Sequence, residues 1–382
     1  MRILLTGPFP YRSIPEKFEN TYFLDSLLQG IVDAGHELII LTTAPDISSD
    51  INEKKGRVTL HVKKIGRHGN LRALFSFKPE IAKLAQIIHT CDQEKHIDVM
   101  HAHWCYEYAE SCLAVDADRT VVTLHDWPDS VCPIFHNYYW KRRQTLGNRV
   151  IENARYYTVV SPVINERLHE TKIDANSVVI PNSIQIEKSA NAIGLNQPFT
   201  LLAVNNGFNE IKNVDTTIQA FHRIKKNYPD AKLILCGFDY EEYGAAYQYC
   251  KKNGLLNKDI EFKGRLKPDE LERLYRTSTM LVHTSREESF GLILIEAMKN
   301  GCPIVAGKKS GAVPWVLENG KSGLLVDVES VEDVATGIEK MMDKSLREQY
   351  IESGYRRVRD FDEQKVLPMY MQLYESMCQK AK

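Results

Sequence analysis

Short apolar runs of strand length alternate with stretches of helical period along most of the chain. Arg2–Thr6 is the first run; it ends at Gly7, continues through a loop carrying Pro8 and Pro10, and leads into a helix-period segment over 18–34. Gly35 closes that segment, and residues 37–41 form a second apolar run without polar alternation. A strand that is apolar on both faces is a strand covered on both faces, so the unit reads as βαβ with parallel strands. The same rhythm predicts strands over 58–62, 99–103, 121–124, 158–160 and 178–180, most of them separated by helical segments. One doubly wound α/β domain over 1–184 accounts for the series.

From 185 to 197 no apolar period is visible, and Lys188, Ser189, Asn191 and Gly194 make the stretch a linker. A second alternation then begins, with strands predicted over 201–204, 233–236, 260–262, 280–283, 304–306 and 324–326 and helices over 214–228, 241–253, 268–276 and 290–300. These form a second parallel-sheet domain over 185–362. The tail is helical from 331 onward, and its last helix, about 363–382, is long enough to cross back and complete the first domain. Ligands of open α/β sheets gather at the carboxyl ends of the strands, so a site is expected in a cleft between the two domains.

Composition narrows the class without changing the architecture. The 49 Lys and Arg against 50 Asp and Glu leave a net charge of -1, which gives no argument for nucleic acid as a partner. No apolar run reaches the ~18 residues of a membrane span, and the N-terminus enters a strand directly, so a cytoplasmic protein is expected. The eight cysteines are scattered, with no Cys-x-x-Cys spacing, and Cys91, Cys236 and Cys302 lie in or beside apolar segments as small hydrophobes do.

The least ordinary chemistry lies in 286–301. From Phe290 to Met298 only Glu296 interrupts an apolar helix pattern, and Gly301 ends it. A buried carboxylate needs a partner or a ligand. Glu288 lies eight positions earlier, ahead of the helix, on the order of 12 Å away at ~1.5 Å per residue. The amides of the helix start between them favour an anion, and Gly291 allows its close approach. The stretch therefore reads as an elongated clamp, an anion in the middle and a hydroxyl-rich group at each carboxylate.

Gly35-His36-Glu37-Leu38, Ile180-Pro181-Asn182-Ser183-Ile184 and above all Glu288-x7-Glu296, followed by residues 301–306 and 323–326, carry a resemblance over nearly the full length. The chain resembles the retaining GT-B glycosyltransferases of family 4, glycosyl transferases group 1. The resemblance implies two Rossmann-like domains facing across a cleft, a nucleotide-sugar donor bound by the second and an acceptor bound by the first. It implies that Glu296 accepts the ribose hydroxyls, that the amides of Phe290, Gly291 and Leu292 hold the diphosphate, and that Glu288 faces the donor sugar. It gives Lys212, between a strand and a helix, the charge that grows on the leaving group. The family usually has an arginine five residues before that lysine, where this chain has Gly207, and Arg265 is a candidate substitute. His125, at the carboxyl end of a central strand, takes the family's histidine contact near the reacting carbon. The Gly7 loop, with Tyr11, is expected to shape the acceptor site, since two prolines remove two amide donors. Trp315 stands where the family commonly has a glutamate.

The reaction so implied is transfer of a sugar from a UDP- or GDP-sugar to a hydroxyl of a glycan or lipid-linked glycan, with retention, without metal or other cofactor, in bacterial surface polysaccharide assembly. An epimerase or phosphorylase on the same fold, or a nucleotide-sugar-binding partner subunit without turnover, is the alternative. His101 and His103 share one face of their strand, a possible metal pair without a third ligand at suitable spacing. The basic and aromatic segments 66–78 and 138–143 suit a peripheral membrane surface or a lipid-diphosphate acceptor, and equally an ordinary solvated helix face.

Overall fold

A computed structural model describes residues 1–19, 23–66, 69–75, 77–186 and 199–380. Most of the expected linker, from 187 to 197, lies outside the described residues, as do Arg67, His68 and Ser76 of the basic and aromatic segment. The chain forms two units: Met1–Ser183 with Glu363–Lys382, and Ile184–Asp362.

The strands of the first unit are β1 (Arg2–Thr6), β2 (Glu37–Ala44), β3 (Ile51–Lys55), β4 (Val58–Lys64), β5 (Val99–His103), β6 (Thr120–Leu124), β7 (Tyr156–Val159) and β8 (Asn176–Val179). Among the described residues they pair in the order β3-β4-β2-β1-β5-β6-β7-β8. All neighbours are parallel except β3 and β4, which form an antiparallel hairpin with Ile51 opposite Val62. The pattern did not predict β3, because Ile-Asn-Glu-Lys-Lys at the sheet edge buries no full face. The first helix is also shorter than its period implied. It covers Asp25–Asp33, and Phe18 instead turns into the core, its amide donating to the Gln29 side chain at 3.0 Å.

The second unit contains β9 (Thr200–Val204), β10 (Lys232–Cys236), β11 (Ile260–Gly264), β12 (Met280–His283), β13 (Ile304–Gly307) and β14 (Leu324–Val326). They pair, all in parallel, in the order β11-β10-β9-β12-β13-β14 among the described residues. Both sheets bury Leu, Ile and Val under helices on their two faces, a doubly wound layering. The final helix, Glu363–Lys380, places Val366, Tyr370, Tyr374 and Met377 at helical spacing in the core of the first unit.

Candidate active site

In the second unit the carboxyl ends of β9 and β12 converge on a carboxylate. Asn213 holds the loop after β9 in place. It is fully buried, its backbone has φ of 50°, and its amide nitrogen donates to the carbonyls of Thr284 at 3.1 Å and Val328 at 2.8 Å. Thr284 returns a hydroxyl bond to the Asn213 carbonyl at 2.8 Å. This lashing carries Lys212 to Glu288, and Nζ donates to Oε1 at 2.6 Å. His283 Nε2 lies 3.3 Å from the same oxygen. Burial pushes the Glu288 carboxyl up, but the ammonium of Lys212 and then His283 overcome it and hold it well below the usual carboxylate range. The loop after β13 closes over this residue, with the Ala312 amide donating to the Glu288 carbonyl at 2.8 Å. Gly311, at φ of 57°, is needed there because a Cβ would sit 2.4 Å from that carbonyl oxygen.

The helix after β12 covers Leu292–Lys299, two residues shorter at its start than the apolar pattern implied. Gly291, at φ of 91°, adopts the left-handed conformation and sets the boundary. Phe290 is left in the preceding loop, its ring packed against Phe361 at 5.4 Å and Trp315 at 6.1 Å. Among the described residues, the amides of Gly291, Leu292 and Ile293 donate to no acceptor in the chain, which leaves the helix start open to an anion. Trp315, where the resemblance expects a glutamate, is thus an aromatic support for Phe290, itself covered by the Arg357 guanidinium at 5.4 Å.

Glu296 departs from its expected all-apolar surround. It is half-buried and accepts a hydrogen bond from the Tyr275 hydroxyl at 2.9 Å. Burial raises its pKa and the tyrosine bond only partly opposes this. Gly207 has φ of 89°, its amide donates to the Phe238 carbonyl at 3.0 Å, and its carbonyl accepts from Tyr240 at 3.0 Å. Arg265 is exposed and lies over the Phe238 ring at 5.1 Å, so Phe238 connects it to the turn that lacks the arginine.

In the first unit, Gly7 lets the β1 loop approach β5: a Cβ there would be 3.2 Å from that of His103. Tyr11 is turned into the core beside Phe18, and its hydroxyl donates to Asp25, which corrects its expected place on a ligand-facing loop. His125 follows β6, half-buried, with Nε2 2.9 Å from His103 Nδ1 and its ring against Trp104 at 4.4 Å. Trp104 itself has φ of 67°. His101 continues the row, 4.2 Å from His103 between ring centres, its nitrogens bonded to the Tyr374 hydroxyl at 2.6 Å and the Thr123 hydroxyl at 2.5 Å. Those bonds use the nitrogens that a metal would need. Burial lowers His101 and His125 to about 3 and His103 well below its ordinary value. Asp126, which sequence reasoning passed over, is raised to about 6 by burial, against the Tyr106 hydroxyl that donates to it at 3.0 Å. Leu71, Leu74 and Phe75 of the basic and aromatic segment are 59%, 59% and 61% exposed. No helix of the described residues is long and apolar enough to cross a membrane.

Residues 185–357 match the family model described as glycosyl transferases group 1, and residues 21–188 match that of Glycosyltransferase Family 4. The chain thus resembles glycosyltransferases over most of its length, those of group 1 in its second unit and those of Family 4 in its first. It is 25% identical over 366 residues to the N-acetyl-alpha-D-glucosaminyl L-malate synthase of Bacillus anthracis, with 90% of each chain covered. Its fold is shared with sucrose-phosphate synthase of Thermosynechococcus elongatus, at TM-score 0.78, 18% identity and 98% of both chains. It is shared too with Anabaena Alr3699/HepE, solved with UDP and glucose, at TM-score 0.66, 19% identity, 98% of this chain and 100% of the other.

Proposed function

We propose that the protein transfers a sugar from a nucleotide diphosphate sugar to an acceptor hydroxyl with retention at the anomeric carbon. The observation that carries this reading is the convergence of Lys212, Glu288 and the open amides of Gly291, Leu292 and Ile293 in the second unit. A cation and a helix start together neutralise a diphosphate, and neither needs a divalent metal to do so. Glu296, half-buried with one oxygen on Tyr275, has capacity left to accept the ribose hydroxyls. Arg265 over Phe238 supplies the second cation that Gly207 does not.

In the reaction the bond from the anomeric carbon to the diphosphate oxygen breaks while the acceptor oxygen bonds to the same face of that carbon. The acceptor proton passes to the departing diphosphate, whose growing charge Lys212 and the amides stabilise. His125, kept neutral by burial and hydrogen-bonded to His103, contributes a hydrogen-bonding group near the reacting carbon rather than a second positive charge.

A glycan or lipid-linked glycan, as in bacterial surface polysaccharide assembly at the cytoplasmic face of a membrane, is the acceptor class we favour. The exposed Leu71, Leu74 and Phe75 beside basic residues support it. A second reading, a small hydroxy acid as acceptor, is favoured by the full-length likeness to a glucosaminyl malate synthase. Transfer assayed with UDP- and GDP-sugars against both acceptor classes decides between them. Glu296→Ala and Lys212→Ala are expected to lower kcat/KM by at least about tenfold and hundredfold respectively, and full activity in both overturns the site.

A further inference from the structure

We infer that His283 is a positioning residue that takes up a proton when the donor diphosphate binds, and so takes over Glu288 from Lys212. The inference rests on the placement of the diphosphate proposed above. His283 is 1% exposed at the end of β12, and neither ring nitrogen has an aligned hydrogen-bond partner among the described residues. Buried imidazole nitrogens are seldom left so, and an orphaned pair beside a ligand site calls for an explanation. Nε2 is 3.3 Å from Glu288 Oε1, the same oxygen that receives Lys212 Nζ at 2.6 Å.

Without donor, Lys212 and Glu288 already form a charge-balanced pair. The donor adds a doubly charged diphosphodiester at the helix start beside them, and Lys212 must serve it as well as Glu288. A buried carboxylate that loses its cation either protonates or finds another. The histidine meets Glu288 from the loop after β12 and, across the shared oxygen, Lys212 from the loop after β9; on β13 its partner in register is the uncharged Ala306. The added negative charge thus falls on an imidazole that already points at the carboxylate. It binds one proton from solvent, forms an ion pair with Glu288, and leaves Lys212 to the diphosphate. The proton is given back when the diphosphate departs. Glu288 therefore stays ionised and fixed at the donor sugar throughout.

Calorimetric titration of the full chain tests this, with UDP-glucose, UDP-N-acetylglucosamine and GDP-mannose, none of which titrates near neutrality, in buffers of equal pH and different ionisation enthalpy. The expected result is net uptake of up to one proton per donor bound, and an affinity that weakens with rising pH by up to about tenfold per unit. His283→Gln, whose amide can donate to Glu288 but cannot become charged, is expected to bind donor with no uptake and with an affinity flat in pH. Binding by the wild type without uptake overturns the handover and leaves the donor site standing, as does uptake that persists in His283→Gln. The wild-type measurement decides even if the variant does not fold. Failure of all three donors to bind overturns the donor site and the handover together.

Discussion

A single oxygen of Glu288 is shared by Lys212 and His283, and the site's energetics are concentrated there. Removing one partner of a fully buried ion pair costs about 3–5 kcal/mol, because the other charge is stranded. Here the side chains keep 24% and 14% of their exposure, so water screens part of the loss. Lys212→Ala is expected to destabilise the second unit by about 1–3 kcal/mol in denaturant unfolding. Glu288→Gln is expected to be milder, since it strands a more exposed lysine. The Glu288 pKa is depressed in the folded state, so its stabilising contribution is complete above the unfolded value of about 4.3 and fades as pH falls below it. Melting curves between pH 7 and 3 should therefore fall less steeply for Glu288→Gln than for the wild type. Glu288, Lys212 and Gly291 were legible in the sequence because a local motif carries each of them. His283, Asn213 and Asp126 were not, because their roles arise from contacts between strand ends far apart in the chain.

The helix Leu292–Lys299 of the second unit and the paired ends of β5 and β6 in the first each yield a prediction at the scale of an element. Gly291 was read as leaving room for an anion, and its left-handed backbone adds a conformational reason for glycine. A side chain there costs about 1–2 kcal/mol for the backbone alone, and its Cβ would meet Leu294 at 3.0 Å. Gly291→Ala should lower the unfolding midpoint by that amount and weaken donor binding about tenfold, measured by the same titration. The three histidines on β5 and after β6 also lose stability as pH falls, but in a higher window than Glu288. Burial keeps them neutral in the folded protein, so the unfolded chain binds protons that the folded one refuses once pH drops below about 6.5. Each then removes up to about 1.4 kcal/mol of stability per pH unit, until the folded value of about 3 is reached for His101 and His125. Thermal melts of the first unit from pH 7 to 4 should decline accordingly, and His125→Asn should flatten them by one proton's share. Periodicity exposed β5 and β6 but missed β3, whose polar edge hairpin offers no apolar face to count.

At the scale of the whole molecule, the chain leaves its first unit at Ser183, builds the second, and gives its last helix back to the first. That return was legible in the sequence as a last helix long enough to cross back and complete the first domain; which core positions it fills was not. Val366, Tyr370, Tyr374 and Met377 fill the core beside the first helix, and the Tyr374 hydroxyl is bonded to His101 Nδ1 at 2.6 Å, at the head of the row that ends in His125. Ending the chain at Asp362 would uncover that apolar surface and strand a fully buried imidazole. Loss of even two buried aromatics costs about 6 kcal/mol or more, comparable to the whole stability of an ordinary domain. The second unit keeps all six of its described strands, its apolar cluster, and Lys212, Glu288 and Gly291 in such a truncation. The shortened protein should therefore lose cooperative unfolding and amide-exchange protection in β1, β2 and β5, yet bind nucleotide sugar with an affinity within about threefold of the full chain. Donor binding lost along with the first unit's protection would show that the site in the second unit is not self-sufficient.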